Sequence, residues 1–219
     1  DEIERYARHL VLPEVGGKGQ QKLKTARVVV IGAGGLGSPV LHYLAAAGVG
    51  TLRVVDDDVV SLSNLQRQII HDTNAVGTTK VESAAQSIAR INPHCRIEAV
   101  AARFDEANQA ALLRGCTLAI DGSDNFATRY RVAEACEAAK VPLVTGAVNR
   151  FDGSVTVLMP WELERNDSPV RRANPRYRDL FPSQPDDGAL PSCAEAGVLG
   201  ATTGIIGTIQ AAEAIKLIT

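Results

Sequence analysis

The stretch ARVVVIGAGGLG at residues 26–37, followed by TLRVVDDD at 51–58, constrains the fold more than any other part of this 219-residue sequence. Residues 26–31 form an unbroken, largely β-branched run, the pattern of a strand buried on both faces. Gly32, Gly34, Gly35 and Gly37 then make a complete G-x-G-x-x-G. Glycines so placed permit a tight turn and let phosphate approach backbone N–H groups at a helix N-terminus. Residues 36–47 read as a helix of small residues stopped by Gly48 and Gly50, and residues 51–55 as a second strand. Together these pieces make a βαβ unit.

The alternation continues beyond it. Helices are predicted over 79–91, 106–113 and 125–140, and strands over 96–101, 117–121 and 142–147. A further strand at 153–158 reads as antiparallel. The pattern predicts a doubly wound, Rossmann-like α/β fold: a mostly parallel sheet with an antiparallel extension and helices on both faces. One domain spans residues 1–219. A helical lead-in occupies 1–25, ending near Gly16 and Gly17, and the nucleotide-binding core spans 26–158. A crossover loop covers 160–191, and a C-terminal helix covers 200–218. The loop holds Pro160, Pro169, Pro175, Pro182, Pro185 and Pro191 and has no periodic apolar face. A connection that long in a compact domain is a functional lid or a disordered segment.

Composition narrows the partners. A net charge of -2 gives no basic surface for nucleic acid or anionic membrane. No apolar run is long enough for a transmembrane helix, and the charged start DEIERYARHL lacks the apolar stretch of a signal peptide. The expectation is a cytoplasmic protein. Of the four cysteines, Cys95, Cys116 and Cys136 lie in apolar or amphipathic segments and read as packing residues. Cys193 differs, standing in a Pro-Ser-Cys loop just before a helix, where a thiol can have a lowered pKa; the alternative is a small residue buried beside that helix.

The chemistry-bearing residues cluster at predicted strand ends. Asp56, nineteen residues after Gly37, ends the second strand, where an acid can bind ribose hydroxyls. Asp58 follows, then Ser63, Asn64 and Arg67 within SLSNLQRQ, and Lys80 opens the next helix. Cations and an amide beside a phosphate-binding turn suit a triphosphate whose charge must be neutralised during transfer. Asp124, in DGSDN with Asn125, lies just past another strand end, where a carboxylate can hold Mg²⁺. A nicotinamide oxidoreductase is the reading these residues favour least.

These blocks, with RYARH at 5–9, GTTKVE at 77–82, VPLVTG at 141–146, SCAEAG at 192–197 and QAAEAIK at 210–216, resemble the MoeB/ThiF (HesA) family over essentially the whole chain. That family comprises the ubiquitin-activating-enzyme-like sulfur-carrier adenylyltransferases, and the resemblance is greatest to the MoeB-type molybdopterin-synthase enzymes. It implies ATP and Mg²⁺ as cofactors. The glycine turn and Asp56 would bind ATP, Asn64 and Arg67 would contact phosphates, and Lys80 would join them. Asp124 would be the essential acid for Mg²⁺ and adenylation. Arg8 would reach a nucleotide site in the partner subunit of a homodimer. The implied partner is a small ubiquitin-like sulfur-carrier protein ending in Gly-Gly, of the molybdopterin or thiamine type, with a rhodanese or a cysteine desulfurase as sulfur donor. Cys193 matches a loop cysteine that some members use for a covalent link to the carrier, and the loop before it would close over the carrier's tail.

The chain departs from the family where many members hold structural zinc, since Arg176 and Asp179 stand at the positions of one cysteine pair; no zinc is expected. Two other activities stay open. One is activation of a small carboxylate, as in the related tRNA threonylcarbamoyladenosine dehydratases. The other is a nucleotide-binding scaffold without turnover, against which the joint presence of Arg8, Arg67, Lys80 and Asp124 argues.

Overall fold

The structure, a computed structural model, describes residues 2–161, 173–185 and 197–219. Three short helices lead in: α1 (Glu2–Arg5), α2 (Ala7–Leu10) and α3 (Gly16–Thr25). The core runs β1 (Arg27–Ile31), α4 (Gly37–Ala47), β2 (Thr51–Val55), α5 (Lys80–Ile91), β3 (Arg96–Val100), α6 (Gln109–Leu113), β4 (Leu118–Asp121), α7 (Phe126–Ala139), β5 (Leu143–Asn149) and β6 (Asp152–Leu158). A one-turn helix, α8 (Tyr177–Leu180), and a long C-terminal helix (Gly200–Ile218) follow. Among the described residues, no helix is long and apolar enough to cross a membrane.

The six strands form one sheet in the order β3-β2-β1-β4-β5-β6. All pairings are parallel except β5 with β6, as expected from the sequence. From β1 the chain winds outward through β2 and β3, then returns to β4 on β1's other side. That reversal leaves a crevice beyond the carboxyl ends of β1 and β4, where open α/β sheets take their ligands.

Strand β1 shows why its sequence is so uniformly apolar. Its register places Val28 and Val30 in one core cluster with Leu41, Leu44 and Ile88, and Val29 and Ile31 in another with Val132, Cys136 and Leu143. Alternate residues point to opposite faces, so a strand between two helical layers has no position left for a polar side chain. Each such side chain fully removed from water stabilises the fold by about 1.5–3 kcal/mol. Cys95, Cys116 and Cys136 are free thiols whose pKa burial raises, Cys95 to about 12. They are packing residues.

Three differences from the sequence reading have physical causes. The glycine pair Gly16-Gly17 does not end the lead-in helix but begins α3, with Gly16 at φ +55°. Tertiary packing outweighs weak local propensity here: Leu23 is buried in the main core, and Gly19 lies close against Val15 and Thr219. Helix α6 starts at Gln109 rather than 106, because the Asp105 carboxylate accepts from the N–H groups of Ala107 and Asn108 and holds a turn there. The crossover loop contains packed structure at α8. Tyr177 is buried with its ring edge-on to Tyr130 at 5.0 Å, and Arg178 bonds Glu134 through two nitrogens at 2.8 and 2.6 Å. Most of the loop, together with Cys193, lies outside the described residues.

Candidate functional site

The crevice at the switch point is a cavity of about 490 Å³. Its floor is the turn after β1. Gly32 adopts φ +93°, and a Cβ on it would stand 2.9 Å from the Gly122 carbonyl oxygen. A Cβ on Gly37 would collide with the carbonyl of Gly32, so only glycine lets α4 begin this close to the strand. Gly32, Gly34 and Gly35 line the cavity, whereas Gly37 serves the packing beneath it.

Asp56, at the end of β2, accepts from the Ala33 N–H at 2.8 Å and from the Asp58 N–H at 2.9 Å. Burial pushes its carboxyl above the ordinary value, partly offset by Lys80 and by those N–H groups. The carboxylate thus joins the glycine turn to the strand end. Below the turn, His71 is buried between Ser83 Oγ at 2.8 Å and the Ala33 carbonyl at 2.9 Å. A carbonyl can only accept, so Nε2 carries the proton and Nδ1 accepts from the serine. Burial lowers the pKa of His71, and likewise that of nearby His42.

Lys80 is the first residue of α5, whose cap is Thr79, accepting from the Glu82 N–H at 3.3 Å. A cation at a helix N-terminus opposes the helix dipole and needs an anion in front of it. Asp58 provides one, 2.7 Å from a lysine that is only 6% exposed. Arg67 lines the same end, its guanidinium donating to the Ser63 carbonyl at 3.1 Å.

Asp124 stands exposed in the turn after β4 and lines the cavity. What fixes that turn is Asp121, fully buried at the strand's end. Its Oδ1 accepts from the Ser123 N–H (3.0 Å) and hydroxyl (2.6 Å), and its Oδ2 from the Thr145 hydroxyl (2.9 Å). From the C-terminal helix, the buried Gln210 donates to the carbonyls of Asp121 (2.8 Å) and Val144 (3.3 Å).

The carboxylates of Asp56, Asp57 and Asp58 lie near enough to one another to suggest a metal site. Each is already engaged: Asp56 with the two N–H groups, Asp57 with Arg103 at 3.1 Å, Asp58 with Lys80. Asp124 makes no ion pair among the described residues, which leaves its carboxylate as the better hard-oxygen donor for Mg²⁺.

The structure therefore brings Gly32, Gly34, Gly35, Asp56, Asp58, Arg67, Lys80, Asp124 and Asn125 into one cavity. Ser63 and Asn64 do not line it. Asn64 Oδ1 accepts from the Ser61 N–H and closes a one-turn 3-10 helix, while Ser63 Oγ meets Ser61 Oγ at 3.0 Å. Their place is in the turn that presents Arg67 and Gln68. Asn125 caps α7, accepting from the Thr128 N–H at 2.9 Å. Arg8 is exposed on α2 and lies outside its own chain's cavity. Cys193 is not among the described residues. Arg176 and Asp179, which stand where many family members carry a cysteine pair, engage each other and α7: Arg176 pairs with Glu137 at 3.0 Å and Asp179 accepts from the Arg176 N–H at 2.7 Å.

The sequence reading missed Gln68, Arg103, Arg129 and Arg131, all of which line the cavity. Arg103 had a usable signal, since it follows a predicted strand end; the arginines of α7 had none.

A glycine turn, an acid at the end of β2 and cations around one cavity at the switch point of a doubly wound sheet are the features of a nucleotide-binding α/β protein. The sequence model of the ThiF family matches residues 6–219, and the chain belongs to that family. It is 48% identical over 217 residues to the SAMP-activating enzyme E1 of Haloferax volcanii, covering 99% of this chain and 76% of that protein. It is 46% identical over 218 residues to the sulfur carrier protein adenylyltransferase of Thermus thermophilus, covering 100% of this chain and 78% of that one. With the probable adenylyltransferase/sulfurtransferase MoeZ of Mycobacterium tuberculosis it shares 49% identity over 219 residues, all of this chain but 54% of MoeZ. The chain thus spans about half the length of that relative. Among solved structures, PaaA superposes with a TM-score of 0.79 at 24% identity over 100% of this chain and 65% of PaaA, a likeness of fold.

Proposed function

We propose that the chain binds ATP in this cavity and uses it to adenylate the C-terminal glycine carboxylate of a small ubiquitin-like sulfur-carrier protein ending in Gly-Gly. The observation that carries the reading is the cavity, in which the glycine turn, Asp56, Arg67, Lys80 and Asp124 converge. The named activities of the relatives support it.

The carrier's carboxylate is ionised at neutral pH, so no general base is required. One carboxylate oxygen bonds to the α-phosphorus. The bond from that phosphorus to the oxygen leading to the β-phosphate breaks, and pyrophosphate leaves with the electron pair. In such a displacement the protein contributes positioning and opposing charge. Asp56 takes the ribose hydroxyls, the turn's N–H groups face the phosphates, and Arg67 and Lys80 oppose the charge growing on pyrophosphate. Asp124 would hold Mg²⁺, which would supply positive charge to offset that of the triphosphate. Arg8, exposed and outside its own cavity, is assigned to the site of a second copy in a homodimer. The acyl-adenylate is then open to attack by a sulfur nucleophile delivered by a rhodanese or a cysteine desulfurase, with Cys193 as a candidate relay thiol. A cytoplasmic setting fits this chemistry.

The test is ATP–pyrophosphate exchange with and without a carrier ending in Gly-Gly. Exchange is expected only with the intact tail. Exchange supported by a small carboxylate alone would replace this reading with the small-substrate one.

A further inference from the structure

Among the described residues, Arg129 is the one cavity-lining arginine that is buried, at 9% exposure. It sits in the first turn of α7. Its Nη2 donates to the Ser123 carbonyl at 3.0 Å, its guanidinium lies 5.8 Å from the centre of the Phe126 ring, and its buried Nε has no hydrogen-bond partner among the described residues. It makes no ion pair among those residues. A guanidinium held in this state is unfavourable by itself, so its place in the fold calls for a function.

Its neighbours suggest one. On one side is the turn Gly122–Ser123–Asp124, held below by Asp121 and gripped by Arg129 through the Ser123 carbonyl, one residue before Asp124. On the other side is Tyr177 of α8, whose phenol burial raises and the charge of Arg129 partly lowers again. Helix α8 is itself fastened to α7. Tyr177 packs on Tyr130, whose hydroxyl donates to the Phe181 carbonyl at 2.9 Å, Arg178 lies over the Tyr130 ring at 4.9 Å, and two arginines pair with Glu134 and Glu137. Tyr177 of the crossover segment thus packs on α7 and sits within electrostatic reach of Arg129, whose Nη2 holds the residue before Asp124.

We propose that Arg129 is a positioning residue for Asp124, and that the docking of α8 on α7 is transmitted through it to the phosphate end of the cavity. This deepens the adenylation reading and rests on it for the role of Asp124. Arg129 acts through the Ser123 carbonyl: with the guanidinium in place, the turn is held so that Asp124 faces the triphosphate.

The test uses the whole chain and the fluorescent nucleotide mant-ATP, titrated at rising Mg²⁺, alongside pyrophosphate exchange. In Arg129→Met the Mg²⁺ needed for tight mant-ATP binding should rise several-fold, and exchange should lose roughly tenfold or more in kcat, as expected from a small misplacement of a charge contact. Arg129→Lys keeps the charge without the fork and should fall between the two; behaviour like wild type would overturn the role of the Ser123 contact. Tyr177→Ala should shift the Mg²⁺ requirement in the same direction, and the double variant should be no worse than Arg129→Met. An unmoved Mg²⁺ response in Tyr177→Ala, or additive losses, would overturn the link to α8. The nucleotide titration needs no carrier, so failure of carrier-dependent exchange in the wild type would count against the adenylation reading and leave this test intact. Thermal melts of each variant distinguish a lost fold from a moved turn.

Discussion

Asp121 offers the most direct check on how the Asp124 turn is held. Replacing it with alanine takes the acceptor from three donors at once: the Ser123 N–H, the Ser123 hydroxyl and the Thr145 hydroxyl. A hydrogen bond to a charged group contributes about 1.5–3 kcal/mol, but removing a buried carboxylate also recovers part of its desolvation cost. The two hydroxyls can rotate toward other acceptors, whereas the N–H cannot. The expected net loss for Asp121→Ala is about 3 kcal/mol, which at about 2–4 °C per kcal/mol for a chain of this size lowers Tm by roughly 6–12 °C. Asp121→Asn should cost only about 1 kcal/mol, because its oxygen keeps the Ser123 donors and its amide donates to a reoriented Thr145 hydroxyl. Thr145→Val, which removes one bond, should cost about as much. In pyrophosphate exchange, Asp121→Ala should lose about 10²-fold through displacement of Asp124, and Asp121→Asn less than about tenfold. Urea melts and exchange assays on the three variants suffice. Equal stability of the alanine and asparagine variants would refute the hydrogen-bond argument, and full exchange activity in a destabilised Asp121→Ala would refute the coupling to Asp124.

Two further predictions concern the site and its pH range. Asp124→Ala should lose about 10²-fold or more in exchange while its melt stays near wild type, since the side chain is exposed; mixing it with an Arg8→Ala chain should restore part of the activity, and no recovery despite shown subunit exchange would exclude completion in trans. Burial lowers the folded-state pKa of His71 and His42, so their contribution to stability is full above the unfolded value of about 6.5 and is lost as pH falls from there toward the lowered values; urea midpoints should fall between about pH 7.5 and pH 5.5, and an identical fall in His71→Gln would remove His71 as a cause.

The sheet was legible in the sequence because parallel strands covered on both faces must be apolar along their length. The runs at 26–31, 51–55 and 117–121 have no other economical reading. The antiparallel β6 was also legible, since it follows β5 with no room for a crossover helix. The helical start at Gly16 was not, because it depends on what Gly19 and Leu23 touch in the folded chain. The site divided in the same way. Residues at strand ends, such as Asp56 and Asp124, are placed by topology and could be named in advance. Ser63 and Asn64 share a motif with Arg67, yet they shape the turn and leave the cavity to Arg67. Arg129 looks like any helix-surface cation in the sequence, and only the fold buries it and turns its Nη2 onto the Ser123 carbonyl.

Gln210 ties the turn after β4 to a helix 89 residues further along the chain. In a chain emerging from the ribosome, the glycine turn and Asp56 come out long before that glutamine. At about 5–20 residues per second the gap between Asp121 and Gln210 lasts roughly 4–18 s. During that interval β1 and β2 can pair around the glycine turn, while the strand end beneath Asp124 lacks the clamp on its carbonyl. The turn that carries Asp124 is thus completed by a contact that forms later in synthesis than the glycine turn and Asp56.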